Sequence, residues 1–308
     1  MELLIDDFRC LGLRRNITSS FNQIVMIRAA IFADIHGKFL LPFRLCDCWQ
    51  RENNQKIDLI LQCGDMGAFP NVDALDKATI RHAKNDRDEL GFLDDFVLKN
   101  QKIETFLSNL NLDMICVRGN HEDHEFLDGL EAQNPDEARF SIDAYERVWV
   151  CKSGWEQQFE KGNDTLEFVG IGRIGDRKKR TDGKFIQDYE RKKIRKLYKR
   201  KSPFDLLISH DKDDASERGY GSWEIREALD EIIFRWHFYG HTGEPFNIVR
   251  DVNGITESCK IKELEFEPSG ILAPGSMLIL EKENDEIRVE AVAQKFTNPS
   301  TKFSWRTL

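Results

Sequence analysis

The chain has 308 residues, 40% of them hydrophobic and 32% charged, with a formal net charge of −9. This is length enough for a large core at the upper edge of single-domain sizes, and the composition excludes a disordered chain. No run of about 18 apolar residues is present, so no membrane-spanning helix and no membrane partner are expected.

Residues Met1 to Gln23 lack the apolar stretch and small-residue cleavage site of a secretory signal. A cytoplasmic setting is the expectation. Met26-Ile27-Arg28 leads straight into the first apolar segment, so residues 1–25 are expected to be a poorly ordered extension. Seven cysteines are scattered without C-x-x-C spacing. The closest pair, Cys46 and Cys48, points to different faces of a predicted helix. Reduced thiols are expected, not a disulfide framework or a metal knuckle.

The first strand is read at Arg28 to Ala33. Short continuous apolar runs follow at Ile57 to Cys63, Leu112 to Val117, Leu166 to Ile171, Phe204 to Ser209 and Phe234 to Tyr239. Runs of this kind suit strands buried on both faces. Helices are expected at Leu40 to Gln50, Lys102 to Asn109 and Ser222 to Ile232, with Ser222 as the cap of the last. Strand–helix alternation marks an α/β domain, placed at 26–295. After Gly243 shorter strands are expected at Phe246 to Val249, Ile261 to Phe266, Ile271 to Ala273, Met277 to Leu280 and Ile287 to Val292. These read as a largely antiparallel second sheet. Residues 296–308 are polar and read as a tail. A charged segment at 68–100 reads as a helical insertion, either a solvated cover or a wall that shapes a substrate site.

Five short motifs carry the chemistry, four of them closing predicted strands: Asp34-Ile35-His36-Gly37, Gly64-Asp65-Met66-Gly67, Arg118-Gly119-Asn120-His121-Glu122, Ser209-His210-Asp211 and Gly240-His241-Thr242-Gly243. Loops at the carboxyl ends of strands in an open α/β sheet converge on one crevice. Two Asp, one Asn and several His brought together form a mixed oxygen and nitrogen donor set suited to first-row metals. A shared carboxylate can bridge two ions at the spacing used for phosphate displacement.

The ordered set D-x-H, G-D, G-N-H-E, H and G-H resembles the calcineurin-like metallophosphoesterase superfamily over Asp34 to His241. Ala273-Pro274-Gly275-Ser276 is similar to a late Pro-Gly-Ser turn of that family. The resemblance implies a four-layer α/β sandwich, two mixed β-sheets flanked by helices. It implies two divalent metal ions, with Mn2+ favoured and Fe, Zn or Ni also suited. Asp34 and His36 would hold the first ion, Asp65 would bridge, and Asn120, His210 and His241 would hold the second. His121 would be the general acid for the leaving oxygen, and Arg118 would contact phosphate oxygens. The implied reaction is hydrolysis of a phosphomonoester or phosphodiester by metal-activated hydroxide.

Some positions depart from the family's patterns. Many members read G-H-x-H, and the second His is Gly243 here, which leaves the first ion fewer protein ligands. The Asp-Arg pair of serine/threonine protein phosphatases is replaced by Ala68 and Phe69. Lariat-debranching enzymes carry Cys where this chain has His36.

Between Arg173 and Lys201 there are 14 Lys or Arg against 4 Asp or Glu. Gln187 to Arg200 reads as an amphipathic helix with Ile194, Leu197 and Tyr198 inward. A solvated face is expected there. The alternative is a guide for a polyanion, which would make the protein a nuclease. A non-catalytic scaffold of the same fold is the third reading. His82, His124 and His237 are read as structural histidines.

Overall fold

Every residue of Ile27–Phe32 is buried, because this strand has an apolar layer on each face. The computed structural model describes residues 26–178, 180–214, 220–297 and 301–307. The expected extension at 1–25 lies outside the described residues. In chain order the strands are β1 (Ile27–Phe32), β2 (Leu59–Gln62), β3 (Met114–Cys116), β4 (Arg139–Ser141), β5 (Val148–Cys151), β6 (Glu156–Lys161), β7 (Asp164–Ile171), β8 (Phe204–Ser209), β9 (Phe234–Tyr239), β10 (Asn247–Arg250), β11 (Glu257–Lys260), β12 (Leu278–Glu283) and β13 (Glu286–Ala291). The helices are α1 (Leu40–Asn53), α2 (Lys77–Ala83), α3 (Gly91–Asp95), α4 (Gln101–Leu110), α5 (His124–Gln133), α6 (Asp188–Lys196), α7 (Trp223–Glu231) and α8 (Gln294–Thr297).

One sheet runs β13-β12-β1-β2-β3-β5-β4 and the other β10-β11-β9-β8-β7-β6. Parallel pairing of β1, β2, β3 and β5 forms the centre of the first. Parallel pairing of β7, β8, β9 and β11 forms the centre of the second. Antiparallel strands close the edges of both, so each sheet is mixed.

Period-two alternation sorts β1 into two cores. Ile27, Ala29 and Ile31 join Leu166, Phe168, Leu206, Ile208 and Phe238 in the layer between the sheets. Ala30 and Phe32 face the other way, against Leu41 and Leu45 of α1 and Ile103 and Leu107 of α4. On the outer face of the second sheet, Phe204, Leu207 and Phe234 pack on Ile194 of α6 and Ile225 and Leu229 of α7. The result is a four-layer α/β sandwich. Among the described residues, no helix is long and apolar enough to cross a membrane. The six described cysteines are all free.

Helix ends follow local chemistry. Asn100, Asp123 and Ser222 cap α4, α5 and α7 through their side-chain oxygens. Asn54 and Asn111 end α1 and α4 in the left-handed conformation. The basic helix is α6 with a short 3-10 extension, Leu197–Lys199.

Two expectations are corrected. The strands after Gly243 do not build a sheet of their own: β10 and β11 extend the second sheet, while β12 and β13 complete the first. Ile261 to Phe266 is not a strand; the strand there is β11, one step earlier, whose Ser258, Cys259 and Lys260 are buried. The second correction concerns 296–308, read as a tail. Within it Trp305 is 2% exposed and sits in the core cluster with Phe92 and Phe96.

Candidate metal centre

The six expected ligands leave the carboxyl ends of five parallel strands. Asp34 and His36 follow β1, Asp65 follows β2 and Asn120 follows β3 in the first sheet. His210 and His241 follow β8 and β9 in the second. The centre therefore lies where the strand ends of the two sheets meet.

The backbone there is strained. Asp34, His36, Asp65 and His241 all have positive φ, between 41° and 65°. Such conformations cost an ordinary residue on the order of 1–3 kcal/mol and persist only where neighbours enforce them. The neighbours are on hand. Asp34 N donates to Gly64 O at 3.1 Å and His36 N to Asp65 O at 3.0 Å. Asp65 Oδ1 accepts from Asn120 N at 2.7 Å and His121 N at 2.9 Å. His241 N donates to both oxygens of Asp34 at 3.1 Å. Gly119 and Gly240 give the carboxylates room: a Cβ on either would stand 2.1 Å from Asp65 Oδ1 or 2.2 Å from Asp34 Oδ2.

Two groups of donor atoms result, each with all atoms within 4.8 Å of one another: Asp34, His36 and Asp65 in one, Asp65, His210 and His241 in the other. Asp65 belongs to both. His210 Nδ1 lies 3.0 Å from Cys63 O, which leaves Nε2 facing Asp65 Oδ1 at 3.2 Å. Asn120 Oδ1 lies 3.2 Å from the same Nε2, so the amide joins the second group.

The protonation pattern is one of frustration. Burial, reinforced by the charge of Asp65, raises the Asp34 carboxyl to about 7 against the pull of His210. Burial lowers His36 to about 4. Burial would also lower His210, but Asp65 and Asp34 raise it to about 9. Asp65 is pushed up by burial, yet His210, His36 and His121 hold it well below the usual carboxylate range. Divalent cations would resolve this crowding of carboxylates and imidazoles, and the donor set fits them.

The model of the family described as calcineurin-like phosphoesterase matches residues 27–245, more than half of the chain. The chain belongs to the calcineurin-like phosphoesterase family. The family binds divalent metals and its general activity is phosphoester hydrolysis, while some of its members are non-catalytic. No curated sequence matches the chain. Similar solved structures include TT1561 of Thermus thermophilus, at 12% identity and TM-score 0.47, over 87% of this chain and all of that one. A phosphatase of Mycoplasma pneumoniae is similar at 12% identity and TM-score 0.46, over 87% and 93%. Vacuolar Protein Sorting 29 of Cryptosporidium parvum is similar at 12% identity and TM-score 0.35, over 87% and 97%.

Within this family frame, His121 stands beside the first donor group, its ring centroid 5.7 Å from that of His36. Its Nδ1 is 2.6 Å from Asp76 Oδ2. Burial would lower His121, but the hydrogen bond it donates to Asp76 and the charges of Asp65 and Asp76 raise it to about 9. Asp76, resisted by its own burial, is drawn down to about 2 mainly by His121. Asp76 comes from the insertion at 68–100, where it also caps α2 through Thr79 N. A cavity of about 70 Å³ opens here, lined by His36, His121, Thr79, His82, Glu89 and Glu265. Thr79, His82 and Glu89 of 68–100 thus line the same cavity as His36 and His121.

Arg118, expected on phosphate oxygens, is corrected. Its side chain is buried, and its two terminal nitrogens bind Asp128 and Glu131, each at 2.5 Å. Its charge is taken up in anchoring α5. Gly243 has φ 68°, and a Cβ there would lie 3.5 Å from Glu263 Oε1. His124 lies in neither donor group; both its ring nitrogens are buried without a partner among the described residues. His237 is buried, held by Ser209 Oγ at 2.7 Å from its Nε2.

The basic segment is extensively neutralised. Arg191 pairs with Glu224 and Asp188, Arg195 with Glu227, and Arg200 with Glu156 and Glu167. Arg173 is fully buried between Asp128 and Glu190.

Three positioning residues were not assigned from the sequence. Glu122 accepts from Met66 N, Ala68 N and Gly119 N at 2.8–3.1 Å and so staples the β2 and β3 loops together. Asp211 ties the β7 loop to the β8 loop through Gly175 N and Gly221 N. Both stood inside motifs already in view, which was signal enough. Asp76 carried only a helix-cap signature.

Proposed function

We propose that the chain is a dinuclear metal-dependent phosphoesterase acting on a phosphomonoester or phosphodiester. The observation that carries this reading is the membership of Asp65 in both donor groups. In this account Asp34, His36 and Asp65 hold one ion, and Asp65, Asn120, His210 and His241 hold the other. Mn2+ is the favoured metal, and Fe, Zn or Ni would suit the same donors. Bound there, the ions supply a water acidic enough to ionise near neutrality and charge to offset the phosphate oxygens.

The chain's own residues do the rest. The strained turns hold the donors in place before any ion arrives, so little reorganisation is needed. Cys63 O fixes the tautomer of His210 with Nε2 free to ligate. His121, held by Asp76, presents its other nitrogen as the proton donor to the departing oxygen. Glu122 and Asp211 keep the four loops in register.

The test is a panel assay. Protein stripped of metal and reloaded with Mn2+ is assayed on monoester and diester chromogenic substrates beside Asp65→Asn and His121→Ala. Asp65→Asn should lose metal and turnover together, and His121→Ala should keep metal and turn over slowly. Equal activity in all three proteins, or none in any of them with metal bound, would end the catalytic assignment; the second outcome would favour the scaffold reading.

A further inference from the structure

The turn that carries His36 is clasped from two sides. On one side it is stitched to the Asp65 loop, by His36 N to Asp65 O at 3.0 Å and Gly37 N to Met66 O at 2.6 Å. On the other it is pressed against the insertion. A Cβ on Gly37 would stand 2.2 Å from Glu89 O and 2.8 Å from Asp88 O, and a Cβ on Gly91 would stand 2.3 Å from Gly37 O. With φ of 81°, Gly37 is also in a conformation that favours glycine. The position of His36 therefore depends on where residues 88–91 lie.

Residues 88–91 belong to a short 3-10 turn, Arg87–Leu90, and the start of the five-residue α3. Elements this short have little stability of their own. Phe92 and Phe96 pin one side in the core. The other side is strapped by a segment more than 200 residues away in sequence. Arg306 Nε donates to Asp88 Oδ1 at 2.7 Å, and a second nitrogen donates to Asp95 Oδ2 at 2.7 Å. Trp305 Nε1 donates to Asp88 Oδ2 at 2.9 Å, and Lys302 reaches Asp86 at 3.3 Å. Arg306 Nη2 is 3.2 Å from the Cβ position of Gly91, at the point where that residue meets Gly37.

We propose that Trp305 and Arg306 are positioning residues for the ion held by Asp34, His36 and Asp65. Their path runs from Arg306 through Asp88 and the Glu89–Gly91 backbone to the Gly37 turn and His36. The path touches none of His210, His241 and Asn120 and reaches the second ion only through the shared Asp65, so loosening it weakens the first ion more than the second. It acts on the ion that already has fewer protein donors. The inference rests on the dinuclear reading above.

The experiment titrates metal-free protein with Mn2+ by calorimetry and follows spin coupling between paired ions by electron paramagnetic resonance. Arg306→Ala and Asp88→Asn should each weaken one of the two ions about tenfold and the other, reached only through Asp65, clearly less. The signal of coupled pairs should give way to that of isolated ions at limiting Mn2+. The double variant should lose less than the sum of the two single losses, because both break the Arg306–Asp88 contact. Should Arg306→Ala not fold, Trp305→Phe keeps an aromatic ring in the core, removes only the bond to Asp88, and should show the same selective loss to a smaller degree. Unchanged affinity at both ions, or equal weakening of both, overturns the proposal. Wild-type protein that binds no Mn2+ would overturn the metal-centre reading instead.

Discussion

Asp76 Oδ2 lies 2.6 Å from His121 Nδ1, joining a residue of the insertion to a residue of the G-N-H-E loop across 45 positions of sequence. The pair fixes the ring of His121 and, on the proposed function, leaves its second nitrogen to meet the substrate. Asp76→Asn keeps the oxygen that caps α2 and replaces the charged acceptor facing His121 Nδ1 with an amide N–H donor. It should lower kcat roughly tenfold on substrates with poor leaving groups, with little change on activated esters. Bound metal should be unchanged. An equal loss on both substrate types would show that Asp76 acts through the fold and not through His121.

Glu122 satisfies three backbone N–H groups with one carboxylate. Glu122→Gln retains a single acceptor oxygen, so one of the buried N–H groups loses its partner. The expected cost is about 1–3 kcal/mol of stability, read by chemical denaturation of the metal-free protein. Metal affinity should fall as well, since the Asp65 and Asn120 loops are the ones it holds together.

Burial lowers His237 to about 3 from its ordinary value of 6.5. The unfolded chain takes up a proton as pH falls through 6.5, and the native site does not until about 3. The stabilising contribution is therefore complete above 6.5 and is lost as pH falls between these values. At about pH 5 the loss from this residue amounts to about 2 kcal/mol. His237→Gln should flatten that part of the stability profile relative to wild type.

Arg191, Arg195 and Arg200 of the basic segment are engaged with acids of α7, β6 and β7, while Lys192, Lys196, Lys199 and Lys201 are exposed. Reversal of these four lysine charges should leave activity on chromogenic esters unchanged, and any activity on oligonucleotides insensitive to salt. A large loss confined to oligonucleotides would restore the polyanion-guide reading.

The strands that present the ligands were readable in the sequence for a physical reason. β1, β8 and β9 lie between apolar layers, so their runs are continuous, and each ends in a motif that must leave the sheet. β6 was not readable, because an edge strand of Glu-Gln-Gln-Phe-Glu-Lys has only one side to bury. β11 was hidden because its buried positions are Ser258, Cys259 and Lys260. Arg118 misled because a basic residue beside the motif suggests phosphate, whereas Asp128 and Glu131 that claim it lie one and two helical turns into α5. Trp305 was overlooked in a polar stretch, where a single aromatic gives no periodicity.

The central claim is that one carboxylate serves two ions, and direct metal analysis addresses it. Wild-type protein, stripped and dialysed against Mn2+, should retain two ions per chain, and Asp65→Asn should retain neither at the same free concentration. A folded Asp65→Asn protein that still held both ions would contradict the account.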